Sequence, residues 1–280
     1  MEGFLYAFHT TVSPDGIPQP AAVPSVSSYL VLCDDRDRVG ARALAALRAG
    51  LVHGVELCTT EDLERAAYVQ IGRRGSVTSA EIVLRDGRIF TQDNVAGLWN
   101  RLSRWPTRLA GREAGAAAAL CAWMRGISGP LVGSPSLQSP QHSEAWSRLR
   151  WASQAHRAGL PAPLVQRQVG LHVNSLASAP DPGERLSVLV AGDQILCAGP
   201  SSPKLPPHIR QACLALGRAV GSGLLEIRLR PSGEHNWEFA EACQRPDPYS
   251  HGHGGIQTLI ELWEPRPAMD SAGLELEEVR

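Results

Sequence analysis

The strongest restriction on the fold lies near the end of the chain, in LLEIRLRPSGEHNWEFAEACQRP, residues 224–246. Apolar and polar residues alternate on both sides of a turn at Pro231-Ser232-Gly233. A period of two places one side of a strand in a core and the other side at a surface. The segment therefore predicts an antiparallel β-hairpin that carries Glu226 on one strand and Glu241 on the other.

An α/β arrangement is predicted ahead of this hairpin. Short apolar runs and segments with helical periodicity alternate along the first half of the chain, which is typical of a mixed α/β fold. In order, the predicted elements are a buried strand in YLVLCDD, a helix in RDRVGARALAALRAG, a strand in GVELCTT, a hairpin in SAEIVLRDGRIF that turns at Asp86-Gly87, and a helix in EAGAAAALCAWMRGI.

The second half of the chain adds helices and one more hairpin. SEAWSRLRWASQAHRAG predicts an amphipathic helix that is capped by Ser143 and followed by Gly159. RLSVLVAGDQILCAGP predicts a hairpin that turns at Gly192-Asp193. PPHIRQACLALGRAVG and GGIQTLIELWEP predict two further helices on either side of the hairpin described first.

The composition excludes several classes of function. The 280 residues carry a formal net charge of -1 without a long block of one sign, so no strong field for nucleic acid is expected. No stretch approaches the roughly 18 apolar residues of a membrane helix, and the N-terminus lacks the pattern of a signal peptide. We predict a cytoplasmic protein that binds neither nucleic acid nor a membrane.

The cysteines occur singly along the chain. They lack the short spacings of a disulfide framework or of a zinc site, so reduced and mostly buried thiols are predicted. The six positions are Cys33, Cys58, Cys121, Cys197, Cys213 and Cys243.

A second group of ligand-type residues precedes the final helix. Beside Glu241, the competent ligands for a transition metal are Cys243, His251 and His253. The gap from Cys243 to His251 matches no standard zinc spacing, and a His-x-His pair on a glycine-rich loop has no fixed geometry. A metal site and ordinary histidines at the start of a helix are both compatible with this pattern, and the second is favoured.

The hairpin carboxylates also have two interpretations. Glu226 and Glu241 can hold a metal ion, or they can be surface groups in ion pairs, since opposite charges across a hairpin are common. The arginines available for such pairs are Arg228, Arg230 and Arg245.

Four short stretches, in the same order along the chain, resemble the ATP-grasp superfamily, and most closely its graspetide (RiPP) maturases and ribosomal-protein glutamate ligases. They are NVAGLWNRLSRWP, SRLRWASQAHRAGLPAP, RLSVLVAGDQILCAG and LLEIRLRPSGEHNWEFAEAC. The resemblance implies an α/β, ATP-grasp-like fold. It implies a preATP-grasp subdomain over residues 28–140 and a truncated ATP-grasp subdomain over 141–264, with an irregular arm over 1–27 and an acidic tail over 265–280.

The resemblance also implies positions for ATP and Mg²⁺. Ligases of this superfamily transfer the γ-phosphate of ATP to a carboxylate, and cations neutralise the developing charge. Glu226 and Glu241 occupy the positions of the family's metal-binding carboxylates. Arg148 stands at a phosphate-binding lysine, and Arg185 begins the family's strand pair, so both are predicted ATP contacts. Cys243 replaces an asparagine, and a thiol is a poor ligand for Mg²⁺.

The segment between Pro163 and Arg185 departs from the family pattern. An active ligase has a lid subdomain there, with a second lysine and a flexible glycine-rich loop. This chain has only LVQRQVGLHVNSLASAPDPGE, without a lysine, and its single lysine is Lys204 in SSPKLPP. The resemblance therefore predicts that the lid subdomain is missing.

Two hypotheses about function follow from this resemblance. In the first, the chain is a catalytically degenerate scaffold or accessory subunit without a cofactor, which binds a peptide or a partner protein such as an active ligase and can form a homo-oligomer. In the second, it is a minimal ATP- and Mg²⁺-dependent ligase whose lid comes from a partner chain or from its own N-terminal arm. The missing lid and lysine favour the first hypothesis.

Overall fold

A computed structural model describes residues 27–51, 54–66, 68–74, 77–109, 115–136, 146–162, 185–198, 204–232 and 237–264, with the backbone alone at 68, 70–74 and 77–80. The predictions for the arm before residue 27, for the missing lid at 163–184 and for the acidic tail at 265–280 therefore lie outside the described residues.

The described elements alternate between strands and helices, as predicted. The first half contains β1 (Ser28–Cys33), α1 (Arg38–Gly50), β2 (Val55–Thr59), α2 (Thr60–Glu64), β3 (Tyr68–Arg74), β4 (Val77–Val83), β5 (Ile89–Thr91), β6 (Val95–Arg101), α3 (Ala116–Arg125) and β7 (Leu131–Val132). The second half contains α4 (Arg148–Arg157), β8 (Leu186–Ala191), β9 (Gln194–Cys197), α5 (Pro207–Val220), β10 (Leu224–Pro231), β11 (Trp237–Cys243), a 3₁₀ turn (Pro248–His251) and α6 (His253–Trp263).

A four-stranded parallel sheet in the order β2-β1-β6-β7 forms the first half of the protein. All six residues of β1 are buried, because this strand is central and both faces of the sheet are covered. Asp37 caps α1 by accepting hydrogen bonds from the backbone N–H groups of Val39 and Gly40.

A smaller antiparallel sheet, in the order β3-β4-β5, accompanies the parallel sheet. The hairpin predicted at Asp86-Gly87 joins β4 to β5, with Ile82 opposite Phe90. Gly87 has a φ of 89° in this turn, a conformation that favours glycine. The prediction of this hairpin is confirmed.

A four-stranded antiparallel sheet in the order β11-β10-β8-β9 forms the second half. Both predicted hairpins are present, because β8 pairs with β9 and β10 pairs with β11. Apolar residues of β8 and β10, such as Val188 and Ile227, pack in one core cluster with residues of α4 and α5. These two helices therefore cover one face of this sheet.

The helix α6 packs in a core cluster that takes residues from both large sheets. Tyr29 and Val31 of β1 share this cluster with Leu189 of β8 and with Trp263 of α6. The rings of Tyr29 and Trp263 stack at a centroid distance of 4.8 Å and an angle of 4°. One apolar layer therefore connects the parallel sheet to the antiparallel sheet.

The start of α4 differs from the prediction. The helix begins at Arg148, and its cap is Ser147, whose side chain accepts a hydrogen bond from the backbone N–H of Arg150. The sequence predicts Ser143 as the cap. Both serines satisfy the preference for a short hydroxyl side chain at a helix start, and only Ser147 immediately precedes the first helical residue.

The cysteines are reduced and mostly buried, as the sequence predicts. All six cysteines are free thiols, and four of them are buried: Cys33, Cys58, Cys121 and Cys213. None of the helices in the described ranges combines the length and apolar character that crossing a membrane requires. The described residues form a mixed α/β protein with a four-stranded parallel sheet, a four-stranded antiparallel sheet and a three-stranded antiparallel sheet, which confirms the predicted α/β class.

Candidate functional site

The candidate site lies on the face of the second sheet that α4 and α5 leave uncovered. Glu226 and Arg228 are two residues apart on β10, and the residues opposite them on β11 are Cys243 and Glu241. Ser187 on β8 is opposite Arg228 on the other side. Because residues two apart on a strand share a face, these five side chains point to the same side of the sheet.

A β-bulge in β11 helps to place Glu241. Arg228 is opposite Glu241 and Leu229 is opposite Phe239, so Ala240 is an extra residue without a counterpart on β10. Phe239 is buried in the apolar cluster under α4 and α5. Without the bulge, Phe239 and Glu241 would share a face, because they are two residues apart.

Glu226 is a buried carboxylate rather than a surface group. Its residue is 5% exposed. The hydroxyl of Ser187 donates to Glu226 Oε1 at 2.6 Å, and Nε of Arg228 donates to the same oxygen at 3.2 Å. A buried carboxylate needs such partners, because transfer of an isolated charge from water is costly.

Arg228 connects Glu226 to Glu241. Its Nη1 donates to Glu241 Oε1 at 2.6 Å, and the same oxygen is 3.4 Å from Nη1 of Arg185. The hydrogen bond with Glu241 is the largest contribution that raises the pKa of Arg228. The site is therefore a chain of alternating charges from Glu226 through Arg228 and Glu241 to Arg185.

His251 lies beside the buried end of this chain of charges. Its Nε2 is 3.3 Å from the hydroxyl of Ser187, and its residue is 8% exposed. Nδ1 is buried and has no hydrogen-bond partner within the described part of the chain. Burial lowers the pKa of His251, although the charges of Glu226 and Asp247 act in the opposite direction.

Three of the four residues predicted to bind ATP or a metal ion lie together, and the fourth does not. Glu226, Glu241 and Arg185 share one network. Arg148 is exposed in the first turn of α4, a helix that packs on the opposite face of the sheet, and no ion pair joins it to either carboxylate within the described residues. The proposal that Arg148 binds phosphate therefore has no support from this network.

The transition-metal alternative is not assembled in the described ranges. No group of three or more His, Cys, Asp and Glu side chains there is placed to hold a metal ion. His253 is exposed at the start of α6, and burial raises the pKa of the Cys243 thiol, which disfavours the thiolate that binds metals. His253 is the first residue of α6, and His251 is the last residue of the 3₁₀ turn that precedes this helix.

The arrangement does not fit Mg²⁺ as it stands. Mg²⁺ requires oxygen ligands in octahedral geometry at roughly 2.0–2.1 Å. The Arg228 guanidinium bonds to both carboxylates, and the residue opposite Glu226 is a cysteine. A cation that coordinated both carboxylates would have to displace this guanidinium, so no catalytic step through Mg²⁺ is derived for this chain.

Two parts of this site could not be recognised in the sequence. Ser187 lies in an ordinary alternating strand, and the sequence predicts His251 either as an ordinary histidine near the start of the final helix or as a metal ligand, neither of which indicates a contact with Ser187. Ser187 meets the carboxylate through the register of β8 with β10, which places it opposite Arg228. A polar residue on a neighbouring strand contacts Glu226 only if it lies on the same face of the sheet. The sequence does not show which residue meets this condition until the register of the two strands is known.

A surface cavity of about 320 Å³ lies away from this network. It is lined by Asp62, Arg65, Leu84, Arg85 and Asp86, at α2 and the turn between β4 and β5. Two of its charged residues form local ion pairs, Arg65 with Glu61 and Asp86 with Arg88. The cavity is therefore not part of the candidate site.

Comparisons with protein-family models and with curated protein sequences find no match. Comparison with solved structures finds macrocyclase MdnB from Microcystis aeruginosa MRC, at 14% identity and a TM-score of 0.60, over 85% of this chain and 99% of that chain. A RiPP-associated ATP-grasp ligase from Chryseobacterium gregarium, in complex with ADP and a leader and core peptide, has 10% identity and a TM-score of 0.59 over 86% and 98%.

A third similar structure is the ATP-grasp ligase PsnB complexed with minimal precursor, Mg and ADP, at 14% identity and a TM-score of 0.58, over 84% of this chain and 96% of that chain. Identities this low establish a shared fold. The chain therefore has the ATP-grasp fold, as the resemblance of its sequence implied.

Proposed function

We propose that the chain is a catalytically degenerate ATP-grasp-like protein that binds a peptide or a partner protein. The observation that carries this proposal is the Arg228 guanidinium, which bonds to both carboxylates at the predicted metal positions. Phosphoryl transfer depends on cations that neutralise and position the phosphates. A site whose carboxylates are already neutralised by arginine lacks the ligands that would hold such a metal ion.

The kind of partner is proposed from the structures that share the fold. The Chryseobacterium ligase is complexed with a leader and core peptide, and macrocyclase MdnC, at 14% identity, is bound with precursor peptide MdnA. A chain with the same fold and a disabled metal position retains a scaffold on which a peptide segment can bind. Binding without ligation is therefore the function that we assign to it.

A minimal ATP-dependent ligase is the second candidate. It is favoured by the two arginines of the network, since the side chains of Arg185 and Arg228 are 49% and 44% exposed. Guanidinium groups bind phosphate well, in a geometry that differs from that of lysine. In this alternative, ATP and Mg²⁺ would have to rearrange the network around Glu241.

Isothermal titration of the full chain with ATP and a non-hydrolysable analogue, with and without Mg²⁺, distinguishes the two functions. We expect no Mg²⁺-dependent heat, because Arg228 holds both carboxylates. Mg²⁺-dependent binding at micromolar strength that disappears in Glu241→Ala would overturn the claim that the metal position is disabled and would favour the ligase alternative. Glu238→Ala is the matched control, since Glu238 lies on the same strand and pairs with Arg230 at 2.9 Å.

A further inference from the structure

We infer that the exposed face of α4 is a docking surface for an acidic peptide segment of a partner protein. This inference rests on the proposed function and deepens it, because it gives the chemical class of the partner and the place where it binds. Since α4 covers the side of the second sheet opposite to Glu226 and Arg228, this surface is separate from the candidate site. The α4 face consists of five exposed residues: Leu149, Arg150, Ser153, His156 and Arg157.

Helical geometry separates the α4 face from the side of the helix that packs in the core. Ala155 is buried in the core cluster that α4 shares with α5, and Arg148 lies on the same side of the helix, two turns earlier. With 3.6 residues per turn, Ser153 lies between Leu149 and Arg157 on the other side. The α4 face is therefore one continuous stripe about two turns long, and it does not include the predicted ATP position at Arg148.

The charges on the α4 face have no negative counterpart nearby. The helix contains no Asp or Glu, and neither Arg150 nor Arg157 forms an ion pair with a carboxylate in the described part of the chain. A cation in the first turn of a helix is opposed by the positive end of the helix dipole, so helix stability does not account for Arg150. A negatively charged partner would compensate both guanidinium groups.

The guanidinium of Arg150 is held in position by aromatic rings. It lies 4.3 Å from the centroid of the Trp146 ring, which contacts the Trp151 ring at a centroid distance of 5.0 Å. A stacked guanidinium uses its flat face for this contact and keeps its N–H donors in its plane, where a carboxylate accepts two of them. Because the side chain is already ordered, less conformational entropy is lost when a carboxylate binds.

Leu149 adds an apolar contact beside the two arginines. It is 52% exposed, and it is the one large apolar residue classed as exposed among the side chains that the structure describes. A helix that lies on a lipid surface inserts a whole apolar face, whereas the apolar side of α4 is already packed in the core. Two cations and a single leucine therefore favour a peptide that carries carboxylates and an apolar side chain over a lipid surface.

The test uses a fluorescein-labelled synthetic peptide with the repeat Glu-Leu-Ser. Arg150 and Arg157 are attached about 10 Å apart along the helix axis. In an extended peptide with threefold periodicity, every third residue lies on one side, about 9 Å apart, so the glutamates of this repeat match the spacing of the arginines. The comparison peptide has the repeat Gln-Leu-Ser, which keeps the size and the leucines and removes the charge.

We expect the full chain to bind the Glu-Leu-Ser peptide in fluorescence anisotropy at least about tenfold more tightly than the Gln-Leu-Ser peptide. Arg150→Glu/Arg157→Glu should weaken binding by at least about tenfold, which corresponds to about 1.4 kcal/mol. Leu149→Ser should weaken it less, and added salt should weaken it because exposed charges are screened. Equal affinity for the two peptides, or no binding of either by folded wild type, would overturn the inference.

Arg38→Glu/Arg42→Glu is the matched control. Both arginines are exposed on α1, and the Arg42 guanidinium lies 3.9 Å from the centroid of the Tyr249 ring, as that of Arg150 lies over an aromatic ring. The control makes the same change in net charge away from the α4 face, and we expect it to leave peptide affinity unchanged. Equal weakening by the two double variants would show that the peptide responds to net charge alone, which would overturn the inference.

Other occupants of the α4 face give different results in the same experiments. Peptide binding that appears only after deletion of residues 265–280 would assign the face to the acidic end of the chain itself. A wild-type dimer in sedimentation that Arg150→Glu/Arg157→Glu converts to a monomer would assign it to a second copy. Anionic vesicles that bind wild type through the same arginines, when the peptide does not, would assign it to lipid. Each of these outcomes would overturn the inference.

A milder variant decides the question if the glutamate variant does not fold. Arg150→Gln/Arg157→Gln removes both charges without adding new ones, and unchanged peptide affinity in this variant would reject the α4 face. The titration with ATP tests the metal position on the other side of the sheet. Mg²⁺-dependent ATP binding would contradict a disabled metal position without changing peptide affinity, so the two proposals can fail separately.

Discussion

At the residue scale, the arrangement around His251 makes stability depend on pH. The imidazole is buried, one of its nitrogens faces the Ser187 hydroxyl, and Nδ1 has no partner among the described residues. Protonation gives the ring a second N–H donor at Nδ1, and a buried donor without an acceptor is unfavourable. Burial accordingly lowers the pKa of His251 below its ordinary value of 6.5.

The sign of the pH dependence follows from this lowered pKa. In the unfolded chain His251 takes up a proton near pH 6.5, whereas in the folded chain it does so only at lower pH. The unfolded state therefore binds more protons in this window. The contribution of His251 to stability is complete above the unfolded pKa and declines as the pH falls through it.

We expect urea unfolding to show a lower free energy of unfolding at about pH 5 than at about pH 7.5, with a smaller decrease in His251→Gln. His253→Gln is the control, because His253 is exposed and lies two residues further along the chain. An identical pH dependence in wild type and His251→Gln would show that His251 does not cause the decrease.

At the element scale, the bulge in β11 separates a core residue from a site residue. Phe239 faces the core and Glu241 faces the site, although residues two apart on a regular strand share a face. Deletion of Ala240 leaves Arg228 opposite Glu241 and Leu229 opposite Phe239, now as consecutive pairs of a regular ladder. The faces of both residues are then preserved without a bulge.

We expect deletion of Ala240 to change the free energy of unfolding by no more than about 1 kcal/mol, within the range of mild substitutions. Deletion of Ala242 is the contrasting change, because it shifts part of a regular ladder by one residue and reverses the side-chain faces there. It should be strongly destabilising. Urea unfolding of both variants provides the measurement, and equal loss of stability in the two deletions would contradict this account of the bulge.

The same strand shows how far the sequence allows prediction. Alternation in LLEIRLRP predicts β10 correctly, because every second residue faces one core. Alternation in WEFAEAC predicts a strand but places Phe239 and Glu241 on one face, because a bulge has no signature in this pattern. For Glu226 and Glu241 the sequence allows either a metal site or ion pairs with arginine. The ion pairs with Arg228 are identified only when the register of β10 with β11 is known.

At the scale of the whole molecule, the two large sheets are held together by apolar and polar contacts. Arg101, at the end of β6, is 4% exposed; its Nε is 2.6 Å from Asp37, and its Nη1 donates to the carbonyl of Pro246 after β11 at 2.8 Å. The hydroxyl of Tyr29 donates to the carbonyl of Trp263 at 3.0 Å. The candidate site is therefore built on one sheet whose position depends on the other.

Because α6 contributes to a cluster shared by both sheets, we expect one cooperative unfolding transition in wild type. Trp263→Ala removes the largest side chain of α6 from this cluster, and it should cost about 3 to 5 kcal/mol. It should also separate the transitions of the two sheets. Hydrogen exchange of β1 and β10 at increasing urea concentrations measures each sheet individually.

Trp123→Ala is the matched control for this change. Trp123 is 1% exposed and belongs to a cluster formed by the first half of the chain, so its loss removes a similar volume without reaching the antiparallel sheet. We expect this variant to be destabilised while the transitions of β1 and β10 still coincide. If Trp263→Ala also unfolds in a single transition, Trp263 does not couple the sheets, and the coupling comes from the remaining apolar contacts of the shared cluster and from the polar contacts of Arg101.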